Sequence, residues 1–277
     1  MSDPRLRGLV DAALAGAQEA MAVYATDFTV ERKADDSPVS EADRNAEKAI
    51  VARLSAAVPD LPIVAEEAVT GGGTPRIGQS FVLVDPLDGT KEFVSRNGEF
   101  TVNIAIVESA IPVCGVVLAP ALSLAYAGSL AGAWKGRMEE NGMAVRDWYP
   151  INVRRAGPSP IAVASRSHMT AATRDALAQA KADEYRSIGS SLKFCLLAEA
   201  AADFYPRLGP TMEWDTAAGD AVLRAAGGAV VALDGAALRY GKLGVAGMRD
   251  FENPYFLAAG DRSLFARLDL DALSKAA

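Results

Sequence analysis

Residues 82–90 read Val-Leu-Val-Asp-Pro-Leu-Asp-Gly-Thr, an apolar run that leads into two acidic residues three positions apart. Such a run predicts a buried strand, here one that ends abruptly at Asp85. Asp85 and Asp88 would then lie on a tight turn and face the same point, with the carbonyl of Leu87 between them. The stretch therefore predicts a sheet edge that presents two carboxylates to a loop.

The end of the same stretch suits a phosphate and a hard metal ion. Gly89 permits close approach of the backbone, and a helix that begins at Thr90 would offer free N–H groups to a phosphate. Carboxylate and carbonyl oxygens are the ligands that magnesium prefers, whereas zinc favours nitrogen and sulfur. An Asp-Pro-x-Asp-Gly run is also a common turn, so the motif alone leaves a purely structural role open.

Three further acidic residues have a similar setting. Glu66 follows a short apolar strand at 63–65, Asp215 stands at the start of a helix of small residues, and Asp35 lies in a polar loop before the second helix. Carboxylates gathered at one point repel one another and raise their pKa values, and bound cations would remove that conflict. For Asp215 the structural alternative is an ordinary helix N-cap.

Composition excludes several other chemistries. The chain has 277 residues, with a single histidine and 28 Lys and Arg against 35 Asp and Glu, a net charge of −7. A His-rich zinc site is excluded, and any Ser-His-Asp triad would have to use His168. The acidic balance argues against a nucleic-acid polymer as partner. It allows a small phosphorylated substrate if metal ions stand between the carboxylates and the phosphate.

Neither export nor membrane insertion is predicted. Charged residues interrupt the first two dozen positions, so no secretory signal is expected. Residues 110–134 carry no charge and are long enough for a membrane span, but Pro112, Gly115 and Pro120 interrupt them. They predict two paired strands. The cysteines Cys114 and Cys195 lie in apolar runs without metal-ligand spacing, which favours a reducing cytoplasm.

Hydrophobic periodicity predicts a layered α+β and α/β chain. The first half reads as helices over 6–24 and 40–57 and as strands at 63–65, 81–84, 101–107 and within 113–127, mostly antiparallel. After residue 153 strands and helices alternate, with strands at 161–164, 185–188, 203–205 and 230–233 and helices over 170–181, 191–201 and 216–226. We expect subdomains of residues 1–153 and 154–277 that form one compact catalytic unit.

The motifs resemble those of a known superfamily. Its three signatures are Ala65-Glu-Glu67, Asp85-Pro-Leu-Asp-Gly-Thr90 and Trp214-Asp-Thr-Ala-Ala-Gly219. They are similar to those of the inositol monophosphatase superfamily of magnesium-dependent, lithium-sensitive phosphatases. Within it, the chain resembles the CysQ-type 3′(2′),5′-bisphosphate nucleotidases in the stretches 33–39, 88–104, 165–168, 189–196 and 205–207. The resemblance implies an α-β-α-β-α sandwich of the sugar phosphatase fold.

The resemblance implies a magnesium site with about two to three ions. Glu66, Asp85 and the Leu87 carbonyl would hold the first ion, and Asp85, Asp88 and Asp215 the second. Glu66 would also reach a weaker third ion through water. This set of ligands is taken over from the superfamily by position and does not follow from spacing alone.

The resemblance also assigns the catalytic groups. A water activated by the metal would be the nucleophile, with Thr90 and Asp35 orienting and deprotonating it and Glu66 nearby. The amides of Gly89 and Thr90 would bind the phosphate. The implied reaction is a metal-assisted in-line displacement.

The substrate side is implied in the same way. Ser191, Lys193 and Arg207 match positions that bind the nucleotide's other phosphate and its ribose, His168 would lie near the nucleotide, and Asp215 would touch both metal and substrate. Each has a plainer alternative. Lys193 could be a solvated helix charge, Arg207 a surface ion pair and His168 an ordinary loop residue.

Several residues near these motifs are predicted to be structural. Trp214 is expected in the core and Asp220 on a helix surface. Asp234-Gly235 reads as a hairpin turn. None of them is expected to bind a metal.

The implied function is hydrolysis of the 3′-phosphate of adenosine 3′,5′-bisphosphate to AMP and phosphate, which recycles the by-product of sulfate assimilation. The 3′-phosphorylated sulfate donor is a possible second substrate. An inositol monophosphatase and a catalytically silent nucleotide-binding protein on the same fold remain alternatives. We expect a monomer or homodimer in the cytoplasm, with peripheral contact to the inner membrane left open.

Overall fold

A computed structural model describes residues 3–26, 30–32, 38–73, 75–164 and 169–276. Its helices are α1 (Pro4–Tyr24), α2 (Glu41–Ala57), α3 (Glu66–Thr70), α4 (Thr90–Val94), α5 (Ala171–Ala180), α6 (Leu192–Ala198), α7 (Ala217–Ala225) and α8 (Leu270–Ala276). Its strands are β1 (Val30–Arg32), β2 (Pro38–Ser40), β3 (Ile63–Ala65), β4 (Ser80–Asp88), β5 (Thr101–Glu108), β6 (Ile111–Ala119), β7 (Leu124–Ser129), β8 (Gly132–Met138), β9 (Val145–Ile151), β10 (Ile161–Ala164), β11 (Glu184–Ser187), β12 (Phe204–Arg207), β13 (Ala229–Ala232) and β14 (Phe256–Ala259).

The first sheet has seven strands in the order β3-β4-β5-β6-β7-β8-β9. β3 runs parallel to β4 and the other pairs are antiparallel. Successive side chains of a strand point to opposite faces, so Val82 and Val84 pack towards α1 and α2 while Phe81 and Leu83 face the interior of the molecule. The same alternation places Asp85 on the interior face.

Helices α1 and α2 cover the outer face of this sheet. Their apolar residues recur at helical spacing, and Leu6, Leu9, Ile50 and Leu54 are fully buried in one cluster with the strands. The helices pack closely because Gly16 has no side chain: a Cβ there would lie 2.5 Å from Ile50. The first two helices are thus confirmed near their predicted bounds.

Helices α6 and α7 lie between the two sheets. Close packing of α7 on the first sheet depends on Gly115, where a Cβ would lie 2.7 Å from the Ala218 carbonyl. This position also corrects one prediction: Asp220 is not on a helix surface but fully buried, because both sides of α7 are covered. Its carboxylate accepts hydrogen bonds from Arg224 Nε (2.7 Å) and the Tyr240 hydroxyl (3.0 Å).

The second sheet has five strands in the order β11-β10-β12-β14-β13. β10 runs parallel to β11 and β12, while β14 is antiparallel to β12 and β13. Helices α5 and α8 pack on its far face through Leu177 and Leu273. The layers therefore alternate α-β-α-β-α, as expected. The first sheet ends at residue 151 and the second begins at 161, and the division at 153 stays a prediction.

Two features of the strands differ from the sequence prediction. β4 does not end at Asp85 but continues to Asp88, which pairs with Thr101 after an irregularity in the ladder. The prediction also missed β1, β2, β8, β9 and β14. The uncharged stretch 110–134 forms β6, β7 and the start of β8, which confirms the paired strands. Nowhere in the described ranges is there a helix long and apolar enough to span a membrane.

Candidate active site

Strand β4 brings Asp85 and Asp88 to one end of the first sheet. Asp85 is 1% exposed, and its Oδ1 accepts a hydrogen bond from the Leu87 amide (3.0 Å), so the chain folds back on this carboxylate. Asp88 Oδ2 accepts a hydrogen bond from the Ser191 amide (2.7 Å) and a longer one from Asn103 Nδ2 (3.4 Å). Asp85 is thus held by its own turn, whereas Asp88 is held by groups from two other parts of the chain.

The turn that follows has the predicted form. Gly89 has φ +91°, a left-handed conformation that other residues adopt at a cost. Helix α4 begins at Thr90, and its first turn closes with a hydrogen bond from the Phe93 amide to the Gly89 carbonyl. Phe93 then packs against Phe100 and Tyr24, with ring centroids 4.9 and 5.0 Å away, which anchors α4 beneath the turn.

Glu66 is the first residue of α3, directly after the parallel edge strand β3. A residue that the sequence reasoning missed fixes this start: Glu47 of α2 accepts hydrogen bonds from the amides of Glu67 (2.7 Å) and Ala68 (3.1 Å). The first amides of a helix have no carbonyl acceptor within that helix, so a carboxylate that accepts their hydrogen bonds stabilises the helix start. Glu47 lies 20 residues from Glu67 in sequence, and no local pattern marks it.

Asp215 comes from the other half of the chain, on the turn before α7. Its Oδ2 accepts a hydrogen bond from the Met212 amide (2.8 Å), and its carbonyl accepts one from the Ser191 hydroxyl (2.6 Å). Asn253 supports the turn from outside: its Nδ2 donates to the Met212 carbonyl (2.7 Å) and the Thr216 hydroxyl (3.0 Å). The sequence reasoning missed Asn253 as well.

Glu213, next to Trp214, belongs to the same support. It is fully buried, and it accepts hydrogen bonds from the Gly241 amide (2.6 Å) and the Lys242 amide (3.0 Å) while its carboxylate pairs with Lys242 Nζ at 2.6 Å. Trp214 is 4% exposed and lies 6.0 Å from the Phe251 ring. Its predicted place in the core is confirmed.

The electrostatics show that the carboxylates of Glu66, Asp85, Asp88 and Asp215 act on one another. Burial, and then the charges of Glu66, Asp88 and Asp215, raise the pKa of Asp85 well above its usual value. Burial and the charges of Asp88 and Glu66 raise the pKa of Asp215 to about 8. Burial raises the pKa of Asp88, which the charge of Lys193 partly offsets.

Such a set of groups fits hard metal ions. Its donors are carboxylate oxygens whose mutual repulsion a cation would relieve, and the buried Oδ1 of Asn103 beside Asp88 has no hydrogen-bond partner. In the part of the chain that is described, no three acidic, histidine or cysteine side chains already stand at ligand spacing. The carboxylates therefore interact electrostatically but do not yet have the geometry of a metal site, and a bound ion would draw them together.

We expect the metal-free protein to lose stability as the pH rises from about 4 to about 8. The folded state holds protons in this range that the unfolded chain has released, because the pKa of Asp215 is about 8 when folded against 3.8 when free. Magnesium would replace those protons and flatten the dependence. Thermal unfolding in EDTA and in excess magnesium measures this, and a change of about 1 kcal/mol shifts Tm by roughly 2–4 °C at this size.

A matched variant tests the cause of this pH dependence. Asp215→Asn should weaken it in EDTA, whereas Asp175→Asn, which changes an exposed residue of α5, should leave it unchanged. If the unfolding temperature of the wild type changed with pH equally in EDTA and in magnesium, the expectation would be contradicted.

Two basic residues of the second half lie beside the carboxylates. Lys193 is not a solvated helix charge: it is 5% exposed, and its Nζ donates to the carbonyls of Ser190 (2.6 Å) and Ile188 (3.3 Å). Burial lowers its pKa to about 8 despite the charge of Asp88. Arg207 donates to the Pro210 carbonyl (2.8 Å), while its buried Nε has no partner.

The structure thus places most of the predicted site residues in one region. Glu66, Asp85, Asp88 and Asp215 interact electrostatically, Leu87, Gly89 and Thr90 adjoin them in the chain, and Ser191, Lys193 and Arg207 approach from the second half. Asp35 and His168 lie outside the described residues, so their roles stay predictions. The roles of the other site residues also remain predictions, because geometry alone does not assign them.

Known proteins resemble this chain over most of its length. A protein-family sequence model, described as the inositol monophosphatase family, matches residues 1–268. The 3′(2′),5′-bisphosphate nucleotidase CysQ of Escherichia coli O157:H7 is 47% identical over 222 residues, which cover 79% of this chain and 87% of that protein. The crystal structure of CysQ from Bacteroides thetaiotaomicron is 38% identical, with a TM-score of 0.75, and the match covers 93% of this chain and 97% of that one.

A more distant neighbour shares the fold. The Thermotoga maritima IMPase is 22% identical, with a TM-score of 0.73 over 98% of both chains. Identity at that level supports a common architecture and says nothing about the substrate. The proteins named as bisphosphate nucleotidases are considerably more similar in sequence.

Proposed function

The chain belongs to the inositol monophosphatase family, and from this premise we infer that it is a 3′(2′),5′-bisphosphate nucleotidase, a phosphoric monoester hydrolase. We propose that it releases the 3′-phosphate of adenosine 3′,5′-bisphosphate and leaves AMP, with the 3′-phosphorylated sulfate donor as a second substrate. The reaction would recycle the by-product of sulfate assimilation. The observation that carries this is the 47% identity to a curated enzyme of that name, joined to a set of interacting carboxylates at the matching motifs.

Enzymes of this family generally depend on a metal ion, and lithium sensitivity is typical of them. We propose about two to three magnesium ions for this chain. Glu66, Asp85 and the Leu87 carbonyl would hold one, and Asp85, Asp88 and Asp215 another, with Glu66 reaching a third through water. The all-oxygen donors and the raised pKa values of Asp85 and Asp215 support this assignment.

Magnesium, when bound, would make the attacking water more acidic and neutralise charge on the phosphate. The residues of the chain would orient the water, take up its proton and hold the phosphate. Thr90 and Asp35, with Glu66 nearby, would orient the water and take up its proton as its oxygen attacks phosphorus. The bond from phosphorus to the 3′-oxygen breaks, and the 3′-oxygen takes up a proton from the site or the solvent and leaves as the hydroxyl group of AMP. The Gly89 and Thr90 amides hold the phosphate in line with the leaving oxygen.

The nucleotide would contact the second half of the chain. Lys193 and Arg207 are cations beside the carboxylates and suit the second phosphate and the ribose. Asp215 would contact both the metal and the ribose. We also propose that His168 contacts the nucleotide. Ser191 was expected to touch the substrate, but its hydroxyl is buried and bonded to the Asp215 carbonyl.

The other candidate functions have less support. The neighbour named as an inositol monophosphatase is similar in fold alone, at 22% identity. A silent nucleotide-binding protein would typically have lost an acidic ligand, whereas Glu66, Asp85, Asp88 and Asp215 are all present. We further propose a cytoplasmic monomer or homodimer, which suits two free, buried cysteines.

The position of the released phosphate tests the proposed function. Purified protein is incubated with adenosine 3′,5′-bisphosphate and magnesium, and the nucleotide product is identified by phosphorus NMR. We expect AMP and inorganic phosphate, with no reaction in EDTA and recovery when magnesium is restored. Formation of adenosine 3′-phosphate, or turnover that persists in EDTA, would contradict the proposal.

A further inference from the structure

Ser191 links the two halves of the candidate site. We propose that it is a positioning residue that fixes the distance between Asp88 and Asp215, and so sets how tightly the site binds its metal ions. This inference rests on the proposed function and replaces the expected contact between Ser191 and the nucleotide. In this role Ser191 acts through Asp88 and Asp215 and has no direct contact with the reacting water or phosphate.

Two short hydrogen bonds from one residue carry the inference. The Ser191 amide donates to Asp88 Oδ2 at 2.7 Å, and the Ser191 hydroxyl donates to the Asp215 carbonyl at 2.6 Å. Asp88 ends β4 of the first sheet, while Asp215 precedes α7 in the second half of the chain. Ser191 is thus one hydrogen bond away from each of two carboxylate residues that no local sequence joins.

The hydroxyl of Ser191 is not used in the way its position suggests. Ser191 is the N-cap of α6, where a serine usually accepts a hydrogen bond from a helix amide. No such side-chain cap is formed here; the hydroxyl turns to Asp215 instead. Because Ser191 is 1% exposed, water cannot readily replace that bond.

The turn that carries Ser191 is itself held in place. Ser190 has φ +43°, a conformation that needs support, and its hydroxyl donates to the Glu99 carbonyl (2.8 Å). Lys193 Nζ donates to the Ser190 carbonyl (2.6 Å). Gly189 lies so close to the same loop that a Cβ there would be 2.6 Å from the Glu99 carbonyl. The Gly189 amide also donates to Glu99 Oε2 (3.0 Å), so the turn stays held by Gly189 and Lys193 when the Ser190 hydroxyl is removed. The position of Ser191 is therefore defined by several contacts other than its own side chain.

Positioning matters here because Asp88 and Asp215 repel each other. The charge of Asp88 is a cause of the raised pKa of Asp215. Without a link the two carboxylates would move apart until an ion is bound, and the ion would have to supply the free energy of bringing them back. The packing of α7 on Gly115 remains when the hydroxyl is removed, so the effect should fall on metal binding and little on the fold.

The test compares Ser191→Ala with Ser190→Ala. Both remove one hydroxyl that donates to a backbone carbonyl, at 2.6 Å and 2.8 Å, and only the first of these carbonyls belongs to a carboxylate residue of the site. Manganese binding is measured by electron paramagnetic resonance of the free ion, without substrate. We expect about 3- to 10-fold weaker binding for Ser191→Ala, the usual effect of one hydrogen bond, and under about 2-fold for Ser190→Ala.

Kinetics separate positioning from substrate contact. With Ser191→Ala, the magnesium concentration for half-maximal activity should rise by the same factor as the manganese dissociation constant, while KM for the nucleotide at saturating magnesium stays within about 2-fold. Ser191→Cys, which has a side chain of the same connectivity but slightly larger and only weakly donating, should behave as Ser191→Ala does and covers the case in which the alanine variant does not fold.

Three outcomes would overturn the inference. Unchanged manganese binding with a raised KM would return Ser191 to the nucleotide pocket. If Ser190→Ala weakened manganese binding equally, the effect would belong to the turn as a whole. If Ser191→Cys bound manganese as the wild type does, the hydrogen bond from the Ser191 hydroxyl would not be the cause. A wild-type protein that binds manganese but does not hydrolyse the nucleotide would refute the proposed function and leave the positioning role standing.

Discussion

Asp88→Asn is expected to lower kcat by roughly 10²- to 10³-fold, because it removes a proposed ligand of the ion that would neutralise charge at the reacting phosphate. The change removes a negative charge from the site while keeping an oxygen that can accept the hydrogen bond from the Ser191 amide. Steady-state turnover of adenosine 3′,5′-bisphosphate at saturating substrate and magnesium measures the effect.

The same variant should not be less stable than the wild type when metal is removed. The charge of Asp88 is among the causes that raise the pKa values of Asp85 and Asp215, so its loss relieves repulsion in the empty site. We expect Tm in EDTA to be equal or higher. Asp175→Asn is the control for charge removal at an exposed position. Near-normal turnover of Asp88→Asn would overturn the assigned role.

Thr90→Ala is expected to reduce kcat by roughly 10²- to 10⁴-fold, since its hydroxyl is the proposed link between the attacking water and a carboxylate base. KM should change little, because the backbone amide of residue 90 remains available to the phosphate. Stopped-time assays of phosphate release at several substrate concentrations separate the two constants.

Thr90→Ser provides the matched comparison. Serine keeps the hydroxyl at the first position of α4 and loses only a methyl group, so it should retain most of the activity. If serine and alanine reduce kcat equally, the methyl group or the helix start is what matters, and the proton-transfer role is wrong. The unfolding temperature of both variants should match that of the wild type within a few degrees.

Much of the fold could be predicted because its elements bury one or two faces in regular patterns. Helices α1 and α2 show clear helical periodicity, and strands β4 to β7 are almost continuous apolar, buried runs. β8, β9 and β14 were missed for physical reasons: β8 contains two glycines, β9 is an exposed edge strand with Asp147 at φ +53° and Pro150, and β14 has only four residues. Their pairing depends on neighbours that local sequence does not specify.

The sequence marks Glu66, Asp85, Asp88 and Asp215 as candidates, since each lies at the end of a strand or before a helix, but their grouping into one set of ligands rests on the family resemblance. The residues that hold these carboxylates in place could not be predicted. Asn253 reaches Thr216 across 37 positions and Glu47 reaches Glu67 across 20, so neither contact leaves a local pattern. The prediction for Asp220 was wrong because a helix between two sheets has no side that faces solvent. The small apolar residues around Asp220 in the sequence could have indicated that this helix is buried.

The ratio of kcat/KM for adenosine 3′,5′-bisphosphate to that for inositol 1-phosphate, measured on one preparation in magnesium, tests the central claim most directly. A bisphosphate nucleotidase should favour the nucleotide by at least about 10²-fold, since Lys193 and Arg207 would have a second phosphate to bind only in that substrate. Comparable values for the two substrates, or a preference for the inositol phosphate, would contradict the account.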